Sequence, residues 1–590
     1  MPDLPPGILY LAQRLPKLAI PPTIVYVLVL VLRSRLEVDI PAWAATVAVV
    51  LSLPVLLTVK IQWALFADHR AAARHGAVIP PYIPDQYPGG LGFLLGAARE
   101  NALGYPGEWV QQICEKLGYA LTIRVFFSNR AILATQFDDF EKGSEIRRRL
   151  TPLLGTGVFA ADGELWKFHR SMTRPFFTKD RISHFELFDR LAGNAIGQIK
   201  ARLREGHPVD FQDVIARFTL DAATDFLLGS SVDSLSEGLP YPFYHTGEKP
   251  SHPKKTSTSQ FITSFSAAQD LTYARIRIGD HWPLGSFWKD ELKDHMKVVY
   301  DFIDPMVAAA VKKKHESVSD KHDDNLLENL VHSTEDPIIL RDEIMNLLVA
   351  GRDTTASLLT FAVYMLSQHP DVLRRLREEI VAQVGPSGQP TYEDFRNMKY
   401  LRAVLNGKVL VTSHIIKLLN GTAIETLRLY PPVPTNLRVS KRATLIPSRS
   451  PGSKPIYIPQ ETRIPFTVMV MHRREDLWGP DVLEFDPDRF LDERLQKYLT
   501  PNPFIFLPFN AGPRICLGQQ FAYHEASFFL VRFLQNFSTI SLAPEAQPLE
   551  SRPPAQWASS PNQRVRNEKI KPKAHLTMYV QGGLWVTMDT

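Results

Sequence analysis

The residues best able to do chemistry lie near the C-terminus of the sequence, in Phe509–Gly518 (FNAGPRICLG). Cys516 stands between a turn rich in glycine and proline and a run whose apolar residues predict a buried helix. The N–H groups at a helix start favour thiolate over thiol. Gly512 and Gly518 leave room for a flat, bulky group, and Arg514 offers a cation to an anionic part of it. A metal–thiolate socket is therefore predicted, and a haem iron needs only one such protein ligand.

A lone cysteine is most often a small buried hydrophobe, and Cys516 by itself favours that interpretation. The ten-residue stretch, however, resembles the haem-binding signature of the cytochromes P450, Phe-x-x-Gly-x-Arg-x-Cys-x-Gly, at every fixed position. The resemblance implies haem b as the cofactor and Cys516 as the axial ligand of its iron. It also implies that Phe509, Arg514 and Gly518 surround the haem.

The composition limits the classes of function. The chain has 590 residues, is 45% hydrophobic and carries a formal net charge of +5, which is too mild and too dispersed to predict nucleic-acid binding. Cys114 and Cys516 are its two cysteines, and they form neither a disulfide framework nor a zinc pattern. Length alone predicts roughly four domains. Because no long linker follows residue 90, we expect one large catalytic unit instead.

Two apolar runs precede that unit. Ile40–Val59 is 20 residues long and carries no charge, which is about the length needed to cross a bilayer. Leu18–Leu32 contains Pro21 and Pro22, so it either spans the membrane or lies partly in the interface. A buried core helix or a cleaved signal peptide accounts less well for two such runs.

Basic residues set the predicted orientation of this anchor. Lys60, Arg70 and Arg74 follow the second run, and the positive-inside rule places them in the cytosol. We expect residues 1–75 to form a membrane anchor with one or two spanning helices. Residues 76–90 are rich in proline and predict a stiff hinge before the catalytic domain, 91–590.

A second candidate for chemistry lies within a long helical pattern, Leu340–Ser367. Its middle, Ala350–Thr355 (AGRDTT), holds a glycine and paired threonines that are poor choices for a helix interior. The Thr354 hydroxyl can bond a preceding carbonyl and open a groove for a diatomic ligand, with Asp353 as a proton-relay carboxylate. A kink stabilised by hydroxyl bonds is an equally good explanation of this stretch alone. The stretch resembles the acid–alcohol pair of the P450 oxygen-binding helix, which implies catalytic roles for both residues.

Trp166 and Arg170 are spaced to share one face of a predicted helix. The pair could be an ordinary surface stack. The P450 resemblance implies instead that both residues hold the haem propionates, and that Arg438, which follows a proline-rich run, is a further propionate contact.

Glu425 and Arg428 are spaced as a pair on one helical face. An exposed pair contributes little stability, whereas a buried pair needs further partners, and Arg489 is the candidate third member. Glu-x-x-Arg together with Phe-x-Pro-x-Arg-Phe resembles the structural triad of the P450 family, which supports the haem pocket.

The remaining patterns predict a fold that is mainly α with small β-sheets, a cytochrome P450-like fold behind the N-terminal anchor. Predicted helices are 108–117, 182–203, 211–228 and 370–384, predicted strands are 121–133, 466–471 and 574–586, and 234–259 is a predicted surface loop.

One segment interrupts the pattern. Residues 400–406 should run directly into Glu425 as one amphipathic helix, but 407–424 intervene. We interpret 407–424 as a retained intron, because Gly407-Lys408 can encode a GTAAG donor and Ile424-Glu425 an AG acceptor. A genuine loop is the alternative, since Thr422 and Glu425 have the spacing of a capping box.

The resemblance covers about residues 90–590 and is greatest to fungal, membrane-bound alkane and fatty-acid hydroxylases. It implies a haem-thiolate monooxygenase that uses O2 and electrons from NADPH, delivered by a separate reductase, at a membrane such as the endoplasmic reticulum with the catalytic domain facing the cytosol. The expected pocket is mainly apolar, which suits a hydrophobic substrate; it comprises 153–159, 347–350, 433–437 and 574–576. These residues do not separate an alkane or fatty acid from a polycyclic aromatic or a terpenoid.

Two other functions remain open at this point. One is a thiolate-haem isomerase or dehydratase that acts on peroxides without a reductase, against which the intact Asp353–Thr354 pair argues. The other is a non-catalytic membrane protein that binds haem.

Overall fold

The computed structural model describes residues 4–79, 92, 95–96, 104–108, 110–112, 131–177, 185–245, 256–316, 325–401, 425–447, 452 and 454–589. Cys114, most of the predicted hinge and the whole of 407–424 lie outside these residues.

The N-terminal region forms two long helices, α1 (Pro6–Arg35) and α2 (Ala42–Arg74), which pack against each other. Both are apolar and long enough to cross a membrane, by length and composition, and almost none of their surface is buried. This arrangement indicates a membrane anchor. The helix α1 begins well before the predicted apolar run and continues through Pro21 and Pro22.

The catalytic body is mostly helical. Its longer helices are α3 (Ser144–Leu154), α4 (Gly163–Thr173), α5 (Phe185–Arg204), α6 (Phe211–Leu228), α7 (Ser257–Ile278), α8 (Glu291–Glu316), α9 (Leu326–Ser333), α10 (Pro337–Gln368), α11 (Pro370–Val384) and α12 (Gln519–Asn536). Shorter helical segments are Trp282–Gly285, Tyr392–Asn397, Glu425–Leu429, Val468–His472, Glu475–Trp478 and Gln563–Asn567.

The helix α10 is the centre of the body. Its N-terminus is fixed by Asp336, whose side chain accepts the N–H groups of Ile338 and Ile339, and it ends before Pro370. Every residue from Thr355 to Leu366 is buried, because α10 packs against α6, α8 and α12 at once. Such burial on all sides explains why this half of the helix lacks a polar face.

The strands are short and pair antiparallel in small sheets. They are β1 (Phe140–Glu141), β2 (Val209–Asp210), β3 (Thr435–Ser440), β4 (Thr444–Ile446), β5 (Ile456–Ile458), β6 (Arg463–Thr467), β7 (Thr539–Leu542), β8 (Pro572–Ala574), β9 (Met578–Val580) and β10 (Trp585–Asp589). The sheet orders are β1-β3-β6, β2-β10-β7, β4-β5 and β8-β9.

The structure confirms a mainly helical fold with small sheets and corrects several local predictions. Residues 131–135, the described end of a predicted strand, form a turn of π-helix. The strand predicted over 466–471 stops at Thr467, where a short helix begins. The predicted loop after Ser234 starts with an ordered turn, because the N–H groups of Ser234 and Leu235 both donate to the buried Asp221 carboxylate.

Candidate active site

Cys516 lies at the end of a tightly turned loop just before α12. Asn510 and Gly512 adopt positive φ angles of 65° and 69°, and the N–H of Cys516 donates to the Phe509 carbonyl at 3.0 Å. The Phe509 ring packs edge-on against Tyr523 of α12. Protein atoms surround Cys516 at longer distances, but its side chain is accessible to solvent. The sulfur therefore faces open space inside the body.

The thiolate predicted from the helix start is not favoured by the protein groups alone. Burial raises the pKa of the Cys516 thiol, and the Gly518 N–H and the Arg170 guanidinium oppose this shift without overcoming it. A bound metal cation is what deprotonates a coordinating thiol outright. The protein groups thus position the sulfur, and a bound metal would supply the charge that ionises it.

The two glycines of the loop, Gly512 and Gly518, have different surroundings. A Cβ at Gly512 would lie 1.8 Å from the carbonyl oxygen of Leu133, so packing against the 131–135 turn requires this glycine. Among the described residues, the atoms nearest to a Cβ at Gly518 are those of Phe177 and Cys516, at 3.7 and 3.9 Å. These are ordinary contact distances, and they leave space beside the sulfur.

Arg514 is fixed by α4 and the residues before it. Its Nη2 lies 2.7 Å from Asp162 Oδ1, and its guanidinium lies 4.6 Å from the centre of the Trp166 ring. Arg170, on the same helix as Trp166, donates to the carbonyl of Ile515 at 2.8 Å. Trp166, Arg170 and Arg514 are thus brought together beside the cysteine loop, as the sequence predicted.

Arg438 supplies the least satisfied cation of this region. It is 1% exposed, and its Nε and Nη2 atoms have no hydrogen-bond partner among the described residues. Burial and the nearby Arg514 lower the pKa of Arg438 to about 10. The Nη1 of Arg438 donates to the Leu437 carbonyl at 2.8 Å and to Asn436 Oδ1 at 3.2 Å. Leaving the two other buried nitrogens without an acceptor is costly, so this position suits an additional anion.

Lys142 joins the same cluster and was missed by the sequence analysis. Its Nζ donates to Asn436 Oδ1 at 3.3 Å, and burial together with Arg438 and Arg514 lowers the pKa of Lys142 to about 7. A single lysine in a turn carries no spacing signal that could have revealed this. Asp162 is the described carboxylate that acts on Lys142, Arg438 and Arg514 alike, and Glu141 acts in addition on Arg514. The donors of Arg438 and Arg514 that lack a partner among the described residues match the two propionates of haem b. The residues therefore fit this cofactor.

The acid–alcohol pair has the predicted local geometry on α10. Thr354 Oγ1 donates to the Ala350 carbonyl at 2.6 Å. Asp353 Oδ1 lies 3.1 Å from Arg352 Nη1, while Asp353 Oδ2 is buried and has no partner among the described residues. One oxygen is thus held and the other is free to take part in proton transfer.

Glu525 is a second residue that sequence reasoning missed. It is 1% exposed in the middle of α12, and burial raises its pKa to about 8, with the nearby Thr355 hydroxyl acting in the opposite direction. Thr355 is the neighbour of Thr354, so Glu525 lies beside the turn of α10 that carries the proposed catalytic pair. An acidic residue amid the aromatic residues of a buried helix was the available signal.

The predicted triad is formed and completely buried. Arg428 meets the Glu425 carboxylate with two hydrogen bonds of 2.6 Å, and Arg489 Nε lies 3.4 Å from Glu425 Oε1. None of the three is more than 1% exposed. Arg489 has another partner that the sequence did not reveal, Asp481, at 2.9 and 3.0 Å.

Comparison with known proteins decides the family. The cytochrome P450 family model matches residues 129–406 and 413–564. The chain belongs to the cytochrome P450 family. Its members are haem-thiolate enzymes that use O2 and a redox partner, so the predicted family, haem b cofactor and monooxygenase class are confirmed.

Fungal P450s are among the relatives of the chain. Cytochrome P450 monooxygenase himC of Aspergillus japonicus is 36% identical over 436 residues, covering 72% of this chain and 69% of the relative. Cytochrome P450 52A6 of Candida tropicalis is 36% identical over 430 residues, covering 71% and 75%. Cytochrome P450 monooxygenase pvhE of Talaromyces variabilis is 32% identical over 500 residues, covering 78% and 83%.

Proposed function

We propose that this P450 hydroxylates a hydrophobic, membrane-dissolved substrate, with electrons from NADPH passed on by a cytochrome P450 reductase. The candidate substrates are an alkane, a fatty acid, a polycyclic aromatic compound or a terpenoid. The observation that carries the proposal is the Thr354–Ala350 hydrogen bond beside the half-satisfied Asp353 carboxylate. A haem isomerase that needs no external protons has no use for this pair.

The roles of the protein residues follow from their positions. When bound, haem supplies the reduction of O2 and the insertion of one oxygen atom. Asp353 Oδ2 receives protons and passes them toward the Thr354 hydroxyl, while Arg352 keeps the other carboxylate oxygen in place. Cys516 is the proposed axial ligand; the residues proposed to surround the haem are Trp166, Arg170, Arg438, Phe509, Arg514 and Gly518. The haem pocket is proposed to be supported by the buried triad of Glu425, Arg428 and Arg489.

The proposal of a hydrophobic substrate is supported by the side chains of the predicted pocket. Leu153 and Leu348 are buried, and Ala574 and Leu576 pack against the same hydrophobic core. Such a lining favours apolar molecules, since few of its groups could replace water around a polar ligand. The polar residues within the predicted lining are Thr156, Thr435, Asn436 and His575.

A membrane origin of the substrate is supported by the contact between the anchor and the body. The Gly7 N–H of α1 donates to the Phe287 carbonyl at 2.9 Å. Close to it along the chain, Ile278, Leu284 and Trp288 are 46%, 48% and 73% exposed. Exposed apolar side chains beside apolar helices suit a membrane-facing surface. We place this surface on the cytosolic side of the endoplasmic reticulum membrane.

The experiment combines a spectrum with turnover. The reduced, carbon monoxide-bound protein should show a Soret band at the thiolate position, which Cys516→Ser abolishes and the control Cys114→Ser preserves. With reductase and NADPH, dodecane or dodecanoic acid should yield a hydroxylated product. Conversion of a fatty-acid hydroperoxide without reductase would establish the isomerase instead, and haem binding without any product from these and from aromatic or terpenoid probes would indicate the non-catalytic protein.

A further inference from the structure

The loop between α3 and α4, Gly155–Phe159, is bound to α10 by buried side chains. Asp342, 3% exposed, accepts the Thr156 N–H at 2.7 Å and the Thr156 hydroxyl at 3.1 Å, both through Oδ2. Asp342 lies in the second turn of α10, which begins at Pro337, and is buried against the loop.

Asn346, one helical turn further on, holds both ends of the same loop. Its Oδ1 accepts the Phe159 N–H at 3.0 Å, and its Nδ2 donates to the Leu154 carbonyl at 2.7 Å. Asn346 is 0% exposed. A buried amide is costly unless it is hydrogen-bonded, and here the loop backbone provides the partners.

The loop sequence fits these side chains closely. Gly155 has a φ of +56°, and a Cβ there would lie 1.9 Å from the carboxyl carbon of Asp342. A Cβ at Gly157 would lie 2.1 Å from Asn346 Nδ2. Larger residues at Gly155 or Gly157 would therefore force the loop away from α10. The contact depends on these glycines as well as on Asp342 and Asn346.

The contacts of Asp342 and Asn346 with the loop, here called the clamp, lie close to the proposed catalytic pair Asp353 and Thr354. Asn346 precedes Thr354 by eight residues on the same helix, which is roughly 12 Å along its axis. The loop ends in Phe159, whose side chain is 36% exposed although its backbone is fixed. Beside the clamp, Glu343 lies 3.2 Å from His169 of α4, both completely buried. The loop, α4 and α10 are thus tied together at one place.

We propose that Asp342 and Asn346 are positioning residues that hold Gly155–Phe159 as a fixed wall of the substrate pocket and so set the size of the molecule that the pocket admits. Neither residue needs to touch the substrate. The inference rests on the proposed function, in which this pocket receives the substrate.

The first test measures the loop itself by hydrogen–deuterium exchange of the full-length protein. In Asn346→Ala, exchange of the amides in 155–159 should rise about ten-fold, the effect expected for one lost hydrogen bond. Asn346→Asp keeps the acceptor and should restore protection at Phe159. The control Gln368→Ala, at the far end of α10, should leave this exchange unchanged. Unaltered exchange in Asn346→Ala would overturn the proposal.

The second test measures the pocket with two ligands of different size, imidazole and 4-phenylimidazole, which bind haem iron whatever the natural substrate is. In Asn346→Ala and Gly157→Ala, the Kd of 4-phenylimidazole should change at least about five-fold, as expected for a wall displaced by a broken hydrogen bond. The Kd of imidazole should change less than about two-fold, since the small ligand does not reach that wall.

The outcomes separate the two proposals. Equal changes for both ligands, or none, would show that the clamp is merely structural. A wild-type protein that binds both ligands but hydroxylates nothing would contradict the proposed function and leave the clamp measurable. Should the Asn346 variants fail to fold, Thr156→Val removes only the hydroxyl bond to Asp342 and should shift the 4-phenylimidazole Kd in the same direction.

Discussion

The hydroxyl of Thr354 donates to the carbonyl oxygen of Ala350 at 2.6 Å, on the helix that crosses the centre of the P450 body. The same carbonyl is the ordinary acceptor for the N–H four residues later, so it serves two donors and the helix is locally weakened. The adjacent Asp353 carboxylate is half satisfied. A hydroxyl that is held but not buried in the helix can exchange protons with its surroundings.

We predict that Thr354→Ala keeps haem and its thiolate spectrum but loses productive turnover. Without the hydroxyl, protons are no longer delivered in step with electrons, so product per NADPH should fall about 10- to 100-fold and hydrogen peroxide should rise correspondingly. The measurement is NADPH consumption against product and peroxide. Thr219→Ala is the matched control, because Thr219 makes the same bond to Ile215, at 2.9 Å, on α6. Tight coupling in Thr354→Ala would remove this residue from its role.

The buried triad should be far more sensitive than an exposed ion pair. Glu425→Gln leaves the guanidinium group of Arg428 buried without a carboxylate and leaves Arg489 with Asp481 alone, which costs about 3–5 kcal/mol. We expect this variant to lose stable folding and haem together, as measured by thermal unfolding and haem content. Glu378→Gln, which breaks the exposed Arg374–Glu378 pair, should cost less than about 0.5 kcal/mol. Equal stability of the two variants would contradict the structural role.

Glu525 predicts a pH dependence of stability. Burial raises its pKa from 4.5 to about 8 in the folded state, so the folded protein holds this proton more tightly than the unfolded chain. The resulting stabilisation is complete below pH 4.5 and is lost as the pH rises toward 8, by at most about 1.4 kcal/mol per pH unit.

Glu525→Gln cannot ionise, so its stability should rise relative to that of the wild type as the pH increases from 5 to 8. Thermal midpoints of both proteins across that range measure the effect, with Glu545→Gln, at an exposed position, as the control. A constant difference between Glu525→Gln and the wild type would show that Glu525 does not titrate in this window.

The segment 407–424 gives a prediction about the gene. We propose that it is a retained intron, and the family match stops at 406 and resumes at 413. We expect cDNA to lack the 54 nucleotides that encode 407–424, and a protein without them to bind more haem. A main transcript that retains them would refute the proposal.

Motifs with fixed spacing predicted most of the site. Cys516, Arg514, Trp166 and Arg170 are local patterns on helices and turns, and the structure brings them together as expected. Lys142 could not be found in this way, because its partners come from strands and loops about 300 residues away and no pattern in the sequence records such pairings. The Cys516 thiolate was inferred from a helix start, whereas burial has the larger effect on its pKa.

The prediction of secondary structure failed where tertiary contacts override local preference. Apolar residues in 466–471 suit a strand, yet the chain turns into a helix at Val468 whose residues are all buried. The role of Asp342 could not be predicted from the helical pattern, because it is the loop between α3 and α4 that gives this carboxylate its partner. Long helices such as α6 were predicted with correct bounds because their periodicity is strong.

The contact of α1 with the body has a practical consequence. Gly7 packs so closely on the Phe287 ring that even a methyl group would collide with it, and Tyr10 lies 2.5 Å from His281. Removing both apolar helices, by cutting the chain after Arg74, to obtain a soluble enzyme would strip this cover and uncover an aromatic patch. Such a truncated protein is expected to self-associate, and replacing Phe287 with a polar residue is the remedy to try first.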